Sequence, residues 1–404
     1  MTPSARIRLD DPGALVAAVP YLLGFSPSDS LVAVGLRPPR SQVCLTVRLD
    51  LAAAAEPAVR TQLAEQLRHA GAEAVVLVLV GEQLGTPDPA PPDQRRGATD
   101  TSRPAEVAAP SDAPRPADAP RPTDTPGQAH RSGRILPARP AGTPAAAAPP
   151  LPHRRRADEV ARQCRVGGLT VLDALWVDRG RWWSYRCASP ACCPPGGRPV
   201  DPAAAGHLAA ELAVCGRQVL PDRESLERSV APDLPLGAEV AAQVVARAFT
   251  DFAALAAEQP RGRIQAGAEL FRAAVERCTP GRPGLDGDER GRLTALLYFP
   301  WAWDGVLRWI DGPRHEAVQA LLLELTRGSP PPWGATPAAL LALYAYARGD
   351  GALARVCADR ALADDPGHEL GTVVHRMLDG GIAPEQVVAA IRKGVRRCSP
   401  LSSP

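Results

Sequence analysis

The chain has 404 residues and a formal net charge of +2, so its overall charge gives no field that would recruit nucleic acid or an anionic membrane. Its length is sufficient for two domains and a linker. Lys393 is the only lysine, which excludes a P-loop lysine or a Schiff-base lysine from the body of the chain.

The stretch 9–36 predicts a helix, a polar turn and a strand, and the rest of the chain is arranged around it. Asp11 followed by Pro12 is typical of a helix start, and the apolar residues that follow recur at helical spacing. Pro20 is expected to kink this helix or to end it early. The apolar run 31–34 is typical of a buried strand.

The turn between this helix and this strand is rich in hydroxyl and carboxylate groups. It contains Ser26, Ser28, Asp29 and Ser30. Side chains of this kind can bind a ligand where a helix meets a sheet, or they can satisfy the hydrogen bonds of their own backbone. Asp29 and Ser30 are therefore candidate ligand-binding residues, with the backbone role as the alternative.

The next segments predict further strands and helices. Residues 30–36 and 42–50 are typical of two strands joined by a proline-containing connection, and 55–70 of an amphipathic helix. The uninterrupted apolar run 74–80 predicts a central strand that is buried on both faces. Strands mixed with helices indicate an α/β fold, in which a mixed sheet is layered with helices.

Residues 82–155 break this pattern. They are rich in proline and alanine, carry charges of both signs and contain almost no large apolar side chains. A segment that cannot bury enough apolar surface to offset the entropy of ordering is expected to be disordered. We therefore predict a disordered Pro/Ala-rich insertion over 82–155, which ends in a solvated basic cluster at 154–156.

Strand and helix patterns return after this insertion. Residues 157–168 predict a helix, and two strands over 170–177 and 181–186 are joined by a glycine-containing turn. We therefore predict one α/β domain made of 1–81 together with 156–200.

Two adjacent tryptophans stand in the second of these strands. Because successive side chains of a strand point to opposite faces, one of Trp182 and Trp183 must lie outside the core face. Beside Arg181 and Arg186, an exposed indole could stack on a ligand or a partner side chain; alternatively, Trp182 packs against the inserted loop or a C-terminal helix. Arg181 is the third candidate ligand-binding residue.

Two stretches of the chain together resemble a known family. The first is the pattern of Pro20, Leu22–Phe25, Pro27 and Asp29–Val32, and the second is the run 171–187 followed by 191–200. Both resemble the actinobacterial domain of unknown function 4192 family, and they bracket the N-terminal half. The resemblance implies a fold pattern but no activity, so it carries over no catalytic residue.

Three cysteines lie within seven positions, at Cys187, Cys192 and Cys193. Zinc is usually held by four nitrogen or sulfur ligands from two close pairs, and this spacing does not match a CxxC pair. Adjacent cysteines also point apart in a strand. We therefore expect small buried cysteines in a Pro/Gly turn and predict no cofactor, with a zinc site at these three residues as the disfavoured alternative.

From residue 201 the pattern is helical. Leucine and alanine recur at three- and four-residue spacing, which predicts an all-α domain over 201–393 and a disordered tail over 394–404. Residues 335–368 resemble a single tetratricopeptide-type hairpin. Helix pairs of this kind must stack on neighbours, and the stack offers grooves for a partner segment.

These features leave two functions open. The first is a non-enzymatic protein-interaction or regulatory module that binds a protein partner, or a second copy of itself, through the helical half. The alternative is an enzyme or small-ligand binder of unrecognised type, with a cleft at the strand ends near Asp29, Ser30 and Arg181. Scattered cysteines, and no apolar run of about 20 residues, indicate a cytoplasmic protein with neither nucleic acid nor a membrane as partner.

Overall fold

A computed structural model of the protein describes most of the chain outside its two ends and several internal segments. The described residues are 11–38, 42–82, 151–187, 189–206, 210, 219–235, 237–258, 262–277 and 285–398. Most of the predicted disordered insertion, 82–155, lies outside them. Within the described residues, no helix combines the length and the apolar character needed to span a membrane.

The described part of the chain forms six β-strands and thirteen α-helices. The strands are β1 (Ser30–Arg37), β2 (Gln42–Asp50), β3 (Ala74–Val80), β4 (Thr170–Asp178), β5 (Arg181–Ser184) and β6 (Arg198–Pro199). The helices are α1 (Pro12–Leu23), α2 (Pro57–His69), α3 (Arg154–Val166), α4 (Arg223–Ser229), α5 (Ala238–Glu258), α6 (Gly262–Arg277), α7 (Gly287–Leu297), α8 (Pro300–Leu307), α9 (His315–Arg327), α10 (Ala335–Ala347), α11 (Gly351–Asp364), α12 (Glu369–Asp379) and α13 (Pro384–Cys398).

The strands form one mixed sheet in the order β2-β1-β3-β4-β5-β6. Neighbouring strands are antiparallel except β3 and β4, which are parallel. A parallel pair needs a crossover connection, and here the crossover contains the long segment after β3 and helix α3. The predicted α/β fold with a mixed sheet, followed by a helical half, is confirmed.

Helix α1 begins as the sequence predicts. The Asp11 carboxylate accepts a hydrogen bond from the backbone N–H of Gly13 at 2.9 Å, and Pro12 lies in the first turn, where its missing N–H costs nothing. The helix does not end early at Pro20 but continues to Leu23, whose side chain is buried against the sheet. Burial of this last turn offsets the backbone hydrogen bond that proline removes.

The two faces of the sheet bury two different cores. Leu31 and the other residues on its face pack against α2 and α3, including Leu63 and Val160. Val32 points to the opposite face, where the core includes α1 and continues into the helices of the C-terminal half as far as Leu341 and beyond. This alternation within β1 is the period of two that a strand imposes.

Helices α10 and α11 pack closely on each other through small side chains. Ala342, Ala354 and Ala358 are fully buried, and Gly349 makes the turn between the helices with a φ of 77°. A helical hairpin over 335–364 therefore follows from the sequence as expected. Its likeness to a tetratricopeptide repeat stays a prediction.

Two predicted boundaries move. Helix α3 begins at Arg154, inside the predicted insertion, because the Arg154 guanidinium donates to the backbone oxygen of Tyr185 at 3.0 Å and lies over its ring. Helix α13 extends to Cys398, past the predicted start of the tail at 394; Val387 near its start is buried, whereas Lys393 and Gly394 are exposed. The earlier start of α3 depends on a contact between segments distant in sequence, and the end of α13 continues a helix that is anchored nearer its start.

The structure buries Trp182 in the core. The indole is 4% exposed, packs against Gly13 of α1, and has the Arg198 guanidinium over its ring at 5.8 Å. Trp183 points to the opposite face and is half-buried. Of the two alternatives, an exposed stacking indole or a packed Trp182, the structure has Trp182 packed, and the element that covers it is helix α1 and not the inserted loop or a C-terminal helix.

A buried histidine links helix α9 to its surroundings. The His315 side chain is buried, its Nδ1 bonds to the backbone oxygen of Ile310, and its Nε2 lies 3.1 Å from Oε1 of Gln319. The ring packs against Tyr344 at a centroid distance of 4.9 Å. Burial lowers the pKa of His315 from its usual value, since a charged imidazolium would be poorly solvated there.

We expect the free energy of unfolding to fall as the pH is lowered from about 7 to about 5. A histidine with a lowered folded-state pKa binds its proton more readily when unfolded, so its contribution is present above the unfolded pKa and is lost below it, by at most about 1.4 kcal/mol per pH unit. His315→Asn should reduce this slope in urea unfolding at several pH values. Replacement of the exposed His69 by Asn is the control; an unchanged slope in His315→Asn would contradict the assignment.

Candidate functional site

A cavity of about 390 Å³, the β2 cavity, lies along the free edge of the sheet. Residues 45–49 of β2 form one wall, and the outer edge of β2 pairs with no other described strand. Helix α2 forms a second wall, and α4, α11 and α12 close the far side. Most of the lining is apolar and includes Phe25, Leu45, Leu63, Leu226, Val356 and Leu378.

Three arginines supply most of the charge in the β2 cavity. They are Arg48 from β2, Arg223 from α4 and Arg355 from α11. Arg355 donates to the Asp379 carboxylate at 2.6 Å, and Arg223 Nε donates to Glu227 at 2.8 Å. Arg223 is thus held by a carboxylate of its own helix, and Arg355 is held by a carboxylate of the neighbouring helix α12.

Arg48 has a different environment. Its Nε donates to Ser30 Oγ at 2.9 Å, and its Nη1 lies 2.7 Å from a carboxylate oxygen of Asp50. The Arg48 side chain is 15% exposed, whereas that of Asp50 is 66% exposed. Burial lowers the pKa of Arg48, and the charge of Arg223 acts in the same direction. Arg48 is therefore a half-buried cation whose counter-ion is largely screened by water.

The walls of the β2 cavity come from distant parts of the chain. Gln66 of α2 donates to the backbone oxygen of Asp379 at 2.7 Å, and these residues are 313 positions apart. Arg48 and Arg355 are likewise distant in sequence, and both line the β2 cavity only in the folded protein. Sequence reasoning missed these three cavity residues, and no local motif marks any of them.

The structure separates the three candidate ligand-binding residues. Ser30 is fully buried and reaches the β2 cavity only through Arg48. Asp29 is exposed with a φ of 41°, and its backbone N–H donates to Gly81 at 2.9 Å. Arg181 begins β5, three strands from β1, which corresponds to about 14 Å at the usual strand spacing. The expected convergence of Asp29, Ser30 and Arg181 on one cleft is absent.

The three cysteines meet in the turn between β5 and β6. The Sγ atoms of Cys187, Cys192 and Cys193 all lie within 4.8 Å of one another, and the three are free thiols. The backbone N–H groups of Cys192 and Cys193 both donate to the backbone oxygen of Ser189, at 3.1 and 2.7 Å. Adjacent cysteines point apart only in an extended strand, so that argument fails in this turn. Cys192 is exposed and the other two are half-buried, contrary to the expected burial.

Side chains of β5 hold the backbone of this turn. The Arg181 guanidinium donates to the backbone oxygens of Gly196 and Gly197, the latter at 2.9 Å. Trp183 Nε1 donates to the backbone oxygen of Pro195 at 3.0 Å, and the indole lies directly against Gly197. Arg181 therefore engages the cysteine turn, not the β2 cavity.

Hydrogen bonds around Cys187 favour its thiolate form. The backbone N–H of Ser189, followed by the neighbouring Cys193 thiol, lowers the pKa of Cys187. Burial, with a further contribution from Cys187, raises the pKa of Cys193 to about 11. Opposite shifts of this kind arise when ionisable groups share one site, because the first negative charge disfavours the second.

Gly197→Ala is expected to lower the free energy of unfolding by about 2 kcal/mol. Gly197 has a φ of 70°, which costs a β-carbon about 1–2 kcal/mol, and an added methyl group would overlap the Trp183 indole. Gly196→Ala is the matched control, since no atom lies within 4 Å of its added methyl. Urea unfolding should separate the two variants; equal stability would contradict both the backbone strain and the overlap with Trp183.

Comparison with known proteins identifies a family without an assigned activity. The family model described as domain of unknown function (DUF4192) matches residues 12–385, a range that contains the walls of the β2 cavity and the cysteine turn. Searches of curated proteins and of solved structures gave no match. Because the family model covers most of the chain, this protein belongs to the DUF4192 family.

Proposed function

We propose that the protein binds a small organic anion in the β2 cavity, with an apolar body and a carboxylate or phosphate end. The observation that carries the proposal is the half-buried Arg48 guanidinium in a mostly apolar cavity of about 390 Å³. Binding sites for small molecules commonly enclose roughly 300–1,000 Å³ and combine apolar walls with a few fixed polar groups.

The surroundings of Arg48 suit an incoming anion. Asp50 is exposed, so it neutralises the half-buried guanidinium incompletely, and a ligand carboxylate would form a charge-assisted hydrogen bond with Arg48. Ser30 and Asp50 already hold the Arg48 side chain in place. Little side-chain entropy is therefore lost when a ligand binds.

The lining supports binding more than turnover. Among the described residues that line the β2 cavity, Asp379 is the single carboxylate, and Arg355 holds it. The same lining contains no cysteine, histidine or serine. The hydroxyl groups of the lining belong to Thr46 and Tyr346, and the Tyr346 hydroxyl donates to the backbone oxygen of Ile382 at 2.6 Å. With Asp379 and Tyr346 both engaged in this way, the lining shows no nucleophile paired with a general base.

Docking of a protein partner on the helical half stays a prediction. Docking of a partner there requires a contiguous exposed apolar groove on the helical half. Four exposed large aliphatic side chains described there belong to three helices and one loop: Val240, Ile264, Val373 and Ile382. Scattered positions of this kind are normal on a protein surface and do not mark a docking face.

Arg48→Met is expected to weaken the binding of hexanoate or hexyl phosphate roughly tenfold to a hundredfold. A charge-assisted hydrogen bond contributes about 1.5–3 kcal/mol, while methionine keeps the apolar stem of the side chain. Isothermal titration calorimetry on the full chain provides the measurement. A second variant, Ala352→Leu, narrows the cavity without changing its charge and should also weaken binding.

Two matched controls sharpen this test. Hexanol has the same chain length without the charge, so it should bind more weakly than hexanoate and respond little to Arg48→Met. Arg155→Met removes a guanidinium from a side chain that is 92% exposed on α3 and should leave binding unchanged. Binding of neither anion, or equal binding of hexanoate and hexanol, would contradict the proposal.

A further inference from the structure

We infer that Cys187, Cys192 and Cys193 form a zinc site with three thiolate ligands and a fourth position open to solvent. The site lies at the β6 end of the sheet, and β2 forms the opposite edge, so it is independent of the β2 cavity. Among the described residues, no other cysteine, histidine or carboxylate joins this group of potential ligands.

The spacing of the sulfur atoms suits zinc. A Zn–S distance of about 2.3 Å in a tetrahedral site places two sulfur ligands about 3.8 Å apart. The three Sγ atoms already lie within 4.8 Å of one another. A shift of the Sγ atoms by about 1 Å, reached by rotation about side-chain bonds, is therefore sufficient to bring the three sulfur atoms around one ion. The backbone need not rearrange.

The backbone that carries the thiols is held independently of any ion. Arg181 and Trp183 donate to three consecutive carbonyl groups of the turn, as described above. On the other side, Ser184 Oγ accepts from the backbone N–H of Cys187 at 3.2 Å and donates to Asp173 at 2.7 Å. Outer hydrogen bonds of this kind orient the ligands of metal sites.

The type of ligand favours zinc. Thiolates are soft ligands that favour zinc over magnesium or calcium. Two arginines belong to the segments that lead into the turn, with Arg181 donating to Gly197 and Arg186 donating to Leu172. Arg186 is fixed there by a hydrogen bond to the backbone oxygen of Leu172 at 2.9 Å.

Hydrogen bonds, and not burial of the cysteines, hold the cysteine turn in place. Strand β6 has two residues, and the three cysteines are exposed or half-buried, so their side chains contribute little apolar burial to the loop. Other cysteines contrast with this: Cys164 and Cys357 are fully buried in apolar cores, where burial raises the pKa of each thiol. A zinc ion would cross-link the turn and add its binding free energy to folding.

Metal analysis of the full chain, purified with a reductant, tests the inference. We expect about one zinc ion per chain in the wild-type protein and almost none in Cys187→Ser or Cys193→Ser. Cys192→Ser, at an exposed position, removes a ligand without disturbing packing and should also lose zinc. Cys44→Ser is the matched control and should retain zinc, because Cys44 lies on the distant strand β2.

Cobalt and a positioning variant give independent measurements. Co²⁺ added to the metal-free protein should produce thiolate-to-cobalt charge-transfer absorption, which the cysteine variants lack. Arg181→Met removes the clamp on the turn and should weaken zinc binding roughly tenfold in competition with a chelator. The inference is overturned if the reduced wild-type protein takes up neither metal, if uptake survives Cys187→Ser and Cys193→Ser together, or if the cluster contains a disulfide instead.

Discussion

Burial of both faces of strands β1 and β3 is the constraint on which the rest of the structure depends. Leu31 and Leu77 point to one core, and Val32 and Val78 point to the other. A sheet whose central strands are apolar on both faces needs a layer of helices on each side. Helices α2 and α3 supply one layer, and α1 with the C-terminal helices supplies the other. The helical half is therefore part of the burial of the sheet.

The same constraint explains how the chain tolerates a long insertion. β3 precedes the insertion and β4 follows it, yet the two are parallel neighbours in the sheet. The backbone N–H of Gly81, just after β3, donates to Val177 of β4 at 2.9 Å, so pairing persists up to the point where the chain leaves. The entropic cost of closing a loop grows only slowly with its length, so a central strand pair accommodates the added residues.

The two edges of the sheet are covered in different ways. Beside β2, the helices stand away from the strand and leave a cavity with a half-buried arginine. Beside β5 and β6, a short turn held by Arg181 and Trp183 ends the sheet, and three thiols take the place of apolar side chains. An exposed sheet edge must be covered or otherwise protected from pairing with another strand. At each edge of this sheet, the segments that protect it bring polar side chains together, and both candidate sites of the protein lie there.

The sequence by itself determined the elements whose signals are local: the capped start of α1, the hairpin of β1 and β2, the apolar strand β3 and the α10–α11 hairpin. Periodicity and capping report the neighbours of a residue along the chain, and these were sufficient there. Only the tertiary structure decided that Arg48, Gln66 and Arg355 share one cavity, that Arg181 lies strands away from Ser30, and that the cysteine turn brings three sulfur atoms together. Those facts depend on strand order and on the path of a turn, which are set by packing between segments as far as 313 positions apart.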